Sequence, residues 1–280
     1  MSRKPRGRKP AARRTMVNAA GPARTSASAL RPEVRHVIEQ ARDLPQLADP
    51  MDAEMLTGRA LTEAALSVSS TPMHASLPPG MALTFSGPLS DPPTSPDPSA
   101  LTFDGSTEHA LWSAVIDHAA ATPSRRSLAL LRAMAVLVSD APTAAQAATQ
   151  ADVLAASDVP EPPWTRAILD LEPAECWIAD DQAHSGFVTV VCAHRYPGRR
   201  HAIAVFIDHM MGGLAKNAFA TAKLDELRAR FSFVPAPPAE AYRLVAEAYR
   251  LVYAHPELPV DPDVHRLRML VHRRIRQGPL

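Results

Sequence analysis

Two β-branched runs separated by a Tyr-Pro-Gly-Arg quartet constrain this chain more than any other stretch. Residues 187–195 (FVTVVCAHR) and 200–208 (RHAIAVFID) flank Tyr196, Pro197, Gly198 and Arg199. Short apolar runs broken by Pro-Gly read as a hairpin, because proline presets the turn and glycine accepts positive φ. Centring the turn on Pro197 and Gly198 pairs Val188 with Ile207, Val190 with Val205, Cys192 with Ile203 and His194 with His201. One face then carries Val188, Val190, Cys192, Ile203, Val205 and Ile207. The other carries Phe187, Thr189, Val191, Ala193, Ala202, Ala204 and Phe206. Both faces are largely apolar, so helices are expected to cover both. Residues 175–181 (ECWIADD) supply a third strand, since two strands alone are rarely stable.

Beyond Ile207 the pattern changes. A helix beginning at Asp208 would enclose Gly212 and Gly213, each at about 1 kcal/mol relative to Ala. The expected arrangement is therefore a loop through the two glycines and a helix over residues 214–231. Lys216 would then lie in a first helical turn, where exposed N–H groups disfavour a cation unless an anion or carboxylate is close. Two readings follow. In the functional one, Gly212, Gly213 and Lys216 bind an anionic, phosphorylated substrate, with Asp208, His209 and Lys216 as catalytic candidates. In the structural one, Asp208 caps the turn, Lys216 pairs with it and the glycines permit the bend. The sequence holds no Gly-x-x-x-x-Gly-Lys-Ser/Thr loop and no Gly-x-Ser-x-Gly elbow. The structural reading is favoured, and no cofactor is expected.

The order Pro162-Pro163-Trp164, hairpin, then Asp208, His209, Gly212, Gly213, Lys216 and Ala218 resembles a family of high-GC actinobacterial proteins. Its members share a basic N-terminus, an Ala-rich helical region and an Asp-His-x-x-Gly-Gly-x-x-Lys-Asp-Ala ending. Asn217 stands where that family has Asp, which weakens a role for charge there. The resemblance implies the domain layout and no reaction.

Charge is sharply segregated. Residues 1–31 hold nine Lys or Arg and no acid, and residues 264–280 hold five Arg and no acid. The body between them has sixteen basic against twenty-nine acidic residues. The ends either fold back on this acidic body or reach a polyanion. Within the first segment, Lys4-Pro5-Arg6-Gly7-Arg8-Lys9-Pro10 resembles the AT-hook, in which Arg-Gly-Arg lies in a narrow minor groove. Lys9 replaces the proline that follows the hook's second arginine. The resemblance implies nucleic-acid contact by Arg6, Gly7 and Arg8, with Arg13 and Arg14 on phosphates. A solubilising tail is the plainer reading, and Met16 is an alternative start.

No apolar run approaches the ~20 residues of a membrane helix, and the N-terminus lacks an apolar signal core. The expected location is the cytoplasm, with no membrane partner. Cys176 and Cys192 read as buried thiols. Cys192, His194 and His201 share a hairpin face in a pattern that some zinc sites use, with His184 as a further ligand. The histidines flank a turn expected to be exposed, and no metal is assigned.

The resulting layout is α+β: a helical N-terminal half, then a small antiparallel hairpin-centred sheet packed by C-terminal helices. The expected units are a basic tail (1–30), a helical pair (31–66), a Pro-rich linker or lid (67–106), a helical bundle (107–159) and an α+β unit (160–280). Helices are expected over 32–44 and 49–66, then from Thr107, over 125–139 after Ser124, and from Asp140 to about 156. Trp164 is expected as a plug between the two halves. A duplicated heptad over 241–254 and a last helix over 263–276 complete the chain. Function narrows to three classes: a non-catalytic binding protein with a nucleic-acid arm, an enzyme at the glycine corner, or a protein-interaction module.

Overall fold

Pro197 and Gly198 form the turn, with Gly198 at φ +74°, and the hairpin register follows from it. In the computed structural model, which describes residues 31–69, 105–181, 186–256 and 258–279, β2 (Phe187–Tyr196) pairs antiparallel with β3 (Arg199–Asp208). Val188 faces Ile207, Val190 faces Val205, Cys192 faces Ile203 and His194 faces His201, as the turn chemistry requires. On the far side of β2 lies β1 (Glu172–Asp181), longer than expected and shifted in register between Pro173 and Cys176.

The helix expected over 214–231 is not formed. Leu214–Thr221 is a strand, β4, pairing with the free edge of β3. Only Leu224–Arg230 is helical there (α7). The segment is Ala-rich, but pairing satisfies the backbone of β3, which would otherwise present an open edge. A register shift opposite Phe206 and Ile207 helps Leu214, Ala215 and Ala218 into the core. Tertiary pairing outweighs the few tenths of a kcal/mol that favour helix at each residue. A short β5 (Val234–Ala236) pairs with β1, giving the order β4-β3-β2-β1-β5.

The helical half comprises α1 (Arg31–Gln40), a 3-10 turn (Ala41–Gln46), α2 (Pro50–Ser69), α3 (Gly105–Ala121), α4 (Arg125–Leu137), α5 (Ala141–Ala156) and the short α6 (Thr165–Leu169). Ser124 accepts a hydrogen bond from the Ser127 amide at 3.1 Å, which fixes the start of α4. Asp140 accepts one from the Thr143 amide at 3.0 Å and starts α5 in the same way. Leu128, Ala129, Leu130, Leu131, Ala133 and Met134 are all buried, so α4 is the central rod of this layer. Residues from α1 through α6 share one core. Trp164 is fully buried in it and donates its indole N–H to the Leu44 carbonyl at 2.9 Å. It therefore plugs the helical layer itself rather than the junction between halves.

The C-terminal helices are α8 (Pro238–Ala254), α9 (Pro262–Arg266) and α10 (Arg268–Gln277). The single last helix expected over 263–276 is interrupted at Leu267. α8 lays Ala241, Tyr242, Val245, Ala248, Tyr249 and Val252 on the sheet face that carries Val190, Cys192, Ile203 and Val205. Tyr242 and Tyr249 are fully buried in it. The opposite face is met by α7 through Leu224 and Leu227. α10 packs against α2 and α4 on one side and α8 on the other, wedged between helical layer and sheet. The α+β class stands. No helix among the described residues is long and apolar enough to cross a membrane.

Candidate functional site

The glycine corner is built by its own backbone. Asp208 is buried and caps the turn His209–Met211, accepting from the amides of Met210 at 2.9 Å and Met211 at 3.1 Å. Gly212 and Gly213 have φ of +79° and +91°, values that favour glycine. Their amides, the donors an anion would need, are already engaged. Gly212 N–H bonds the His209 carbonyl at 3.2 Å and Gly213 N–H bonds the Asp208 carbonyl at 2.8 Å. Lys216 lies on β4, not in a helix, and donates its ammonium to the Pro259 carbonyl at 2.5 Å. It does not pair with Asp208. His209 is exposed. Asp208 thus serves the bend, Lys216 is held by the Pro259 carbonyl and His209 faces solvent.

The chemistry-bearing side chains that do converge lie at the other end of the hairpin, inside the protein. Glu54 of α2 is fully buried. Its carboxylate accepts from both terminal nitrogens of Arg274, at 2.9 and 2.5 Å, and also from Arg273 and the Tyr196 hydroxyl. Burial alone would raise its pKa, but the Arg274 and Arg273 guanidiniums and the Tyr196 hydrogen bond outweigh burial and hold it at about 2. Arg273 also donates to the Ile168 carbonyl at the end of α6. Two guanidiniums therefore share one carboxylate, and the cluster ties α2, α6, β2 and α10 together.

Both hairpin histidines belong to this interior, contrary to the exposed position expected for them. His201 is stacked between Tyr196 and His194, with ring centroids 5.0 and 5.5 Å away. Its Nε2 lies 3.0 Å from an Arg274 nitrogen that can only donate, so Nε2 accepts and the imidazole is neutral. Burial, reinforced by Arg274, depresses its pKa to about 3. The Nδ1 atom of His194 lies 3.1 Å from the Cys192 carbonyl and so carries the proton; its Nε2 accepts from the Tyr242 hydroxyl at 2.7 Å. Burial likewise pushes His194 well below its ordinary value. Cys192 faces Cys176 across the strands, and both are free and buried. A thiol hydrogen bond between them lowers Cys176 and raises Cys192. Among the described residues no group of three His, Cys, Asp or Glu is placed to hold a metal. His184 lies outside the described residues.

The C-terminal basic segment folds back on the acidic body. Besides Arg273 and Arg274, Arg268 pairs with Glu108 at 2.6 Å, Arg266 with Asp263 at 2.9 Å, and Arg276 donates to the Val136 and Leu137 carbonyls. Arg6, Gly7, Arg8, Arg13 and Arg14 lie outside the described residues, as does the 70–104 part of the expected linker.

Sequence reasoning placed the hairpin histidines on one face but missed Arg274, which His201 contacts, and Glu54, which holds Arg274. A signal was present. Met51, Glu54, Gly58, Leu61 and Ala65 recur at helical spacing, which puts an acid on the stripe that α2 buries. Leu267, Val271 and Arg274 repeat the pattern with a base. An acid and a base each standing on an apolar stripe announce a buried pair.

The chain matches no known family model, no curated protein and no solved structure.

Proposed function

We propose that the protein is a non-catalytic cytoplasmic binding protein whose basic N-terminal arm contacts nucleic acid. The observation that supports this reading is the fate of the C-terminal basic end. The C-terminal arginines are spent on Glu54, Glu108, Asp263 and main-chain carbonyls, which leaves the acid-free segment 1–31 as the concentrated positive charge. Arg6-Gly7-Arg8 suits a narrow minor groove, where a backbone without a side chain at glycine approaches closely and the flanking guanidiniums meet strong negative potential. Arg13 and Arg14 add phosphate contacts, whose strength falls steeply with salt. The glycine corner gives no competing support for catalysis, because its amides and its lysine are bonded within the chain.

The test is a gel-shift titration of an A/T-rich duplex with the full chain and with a chain lacking residues 2–14. The full chain should shift the duplex at low salt and lose affinity steeply on raising salt, and the shortened chain should not shift it. Equal binding by both rejects the arm.

A further inference from the structure

Where α7 meets β3 and β4 is a cleft of about 330 Å³, lined by Phe206, Phe219, Leu227 and Phe231, with the exposed Lys223, Glu226 and Arg230 at its rim. The aromatic rings form a continuous wall. Phe206 is 5.9 Å from Phe219 and 6.1 Å from Phe231, centroid to centroid. Phe231 remains 38% exposed, so part of an apolar wall faces an open space. A concave, mostly apolar space at the small end of the range that small molecules occupy, with a few polar groups at its edge, is the usual form of a small-molecule site.

The rim selects the ligand's charge. Lys223 and Glu226 pair with each other at 3.2 Å and cancel. Arg230 is exposed and makes no ion pair among the described residues, so the edge of the cleft carries one uncompensated guanidinium. This charge stands at the edge of the apolar wall, and a carboxylate bound there would gain a two-pronged partner.

We propose that the cleft binds a small amphipathic carboxylate, its apolar chain or ring against Phe206, Phe219, Leu227 and Phe231 and its acid group on Arg230. The described lining of the cleft comes from residues 206–231, and this proposal does not rest on the nucleic-acid reading.

Decanoate, used below its micelle concentration, is the probe, titrated into the full chain by calorimetry with decanol as the uncharged comparison. Saturable one-site binding is expected, weakened at least ~10-fold in decanol, in Arg230→Glu and in Phe231→Ser; each factor of ten corresponds to about 1.4 kcal/mol. Both substituted residues are at the surface, and circular dichroism checks that the variants keep the native fold. No saturable heat up to millimolar decanoate overturns the proposal. So does equal binding by Phe231→Ser, which would place the ligand elsewhere. Decanol binding as well as decanoate, or full binding by Arg230→Glu, overturns the carboxylate assignment.

Discussion

Glu54 and Arg274 stand 220 positions apart and meet in a two-pronged ion pair with neither side chain exposed. The pair joins α2 to α10, and so joins the helical layer to the sheet. Glu54→Ala should lower stability by roughly 3–5 kcal/mol, because it strands two buried guanidiniums with no carboxylate. Replacing Glu54, Arg273 and Arg274 together by methionine should recover much of that loss, since no charge is then left unpaired. Urea denaturation midpoints of the single and triple variants check both statements.

Acid should erode the protein's stability over two pH windows. His201 is neutral when folded, with a pKa of about 3 against 6.5 unperturbed. The unfolded chain takes up a proton below 6.5 that the folded one refuses. Stability from this group is full above 6.5 and is lost as pH falls toward 3, at about 1.4 kcal/mol per pH unit. Glu54, at about 2 against 4.5, adds a second loss of the same sign between 4.5 and 2. Thermal melting between pH 8 and 4 should show a falling Tm beginning near 6.5, and His201→Gln should remove only part of that slope, because burial holds His194 and His272 below their ordinary values as well.

Gly278 follows the last helical turn, its amide bonded to the Arg274 and Ile275 carbonyls. A Cβ there would lie 2.6 Å from the fully buried Tyr242 ring. Tyr242 also holds His194, so the ring cannot swing aside without breaking a buried hydrogen bond. Gly278→Ala should cost about 1–3 kcal/mol, read as a shift in denaturation midpoint.

At the glycine corner the effects should be local. Asp208→Ala removes a cap bonded to two amides and should cost about 1 kcal/mol. Gly212→Ala meets nothing within 4 Å but must keep φ at +79°, so backbone strain of about 1–2 kcal/mol is expected. Lys216→Ala should remain folded, with a loss near 1 kcal/mol for its bond to the Pro259 carbonyl. If Lys216→Ala instead abolished binding of a phosphorylated ligand while leaving stability untouched, the corner would be a site after all.

The hairpin was legible because Pro197-Gly198 fixed the turn, and the turn fixed every pair from Arg199 to Asp208. The caps Ser124 and Asp140 were legible for the same local reason: a short polar side chain before an apolar-periodic run. β4 was not. Its sequence, LAKNAFAT, favours helix locally, and only the unpaired edge of β3, a long-range fact, makes it a strand. The setting of Lys216 was misread with it, because a lysine in a first helical turn needs an anion and one on a strand does not. The Glu54 cluster was half legible. Glu54 and Arg274 lie on buried stripes of their own helices, but nothing local connects residue 54 to residues 196, 201 and 274.

Whether the helical layer and the sheet act as one cooperative body can be read directly from native-state hydrogen exchange of α4 and β2 amides under rising urea. The expected result is that both sets converge on one opening free energy in the native chain and separate in Glu54→Ala. Opening of α4 and β2 at different free energies in the native chain, unchanged by Glu54→Ala, would contradict the role given to the buried Glu54 cluster.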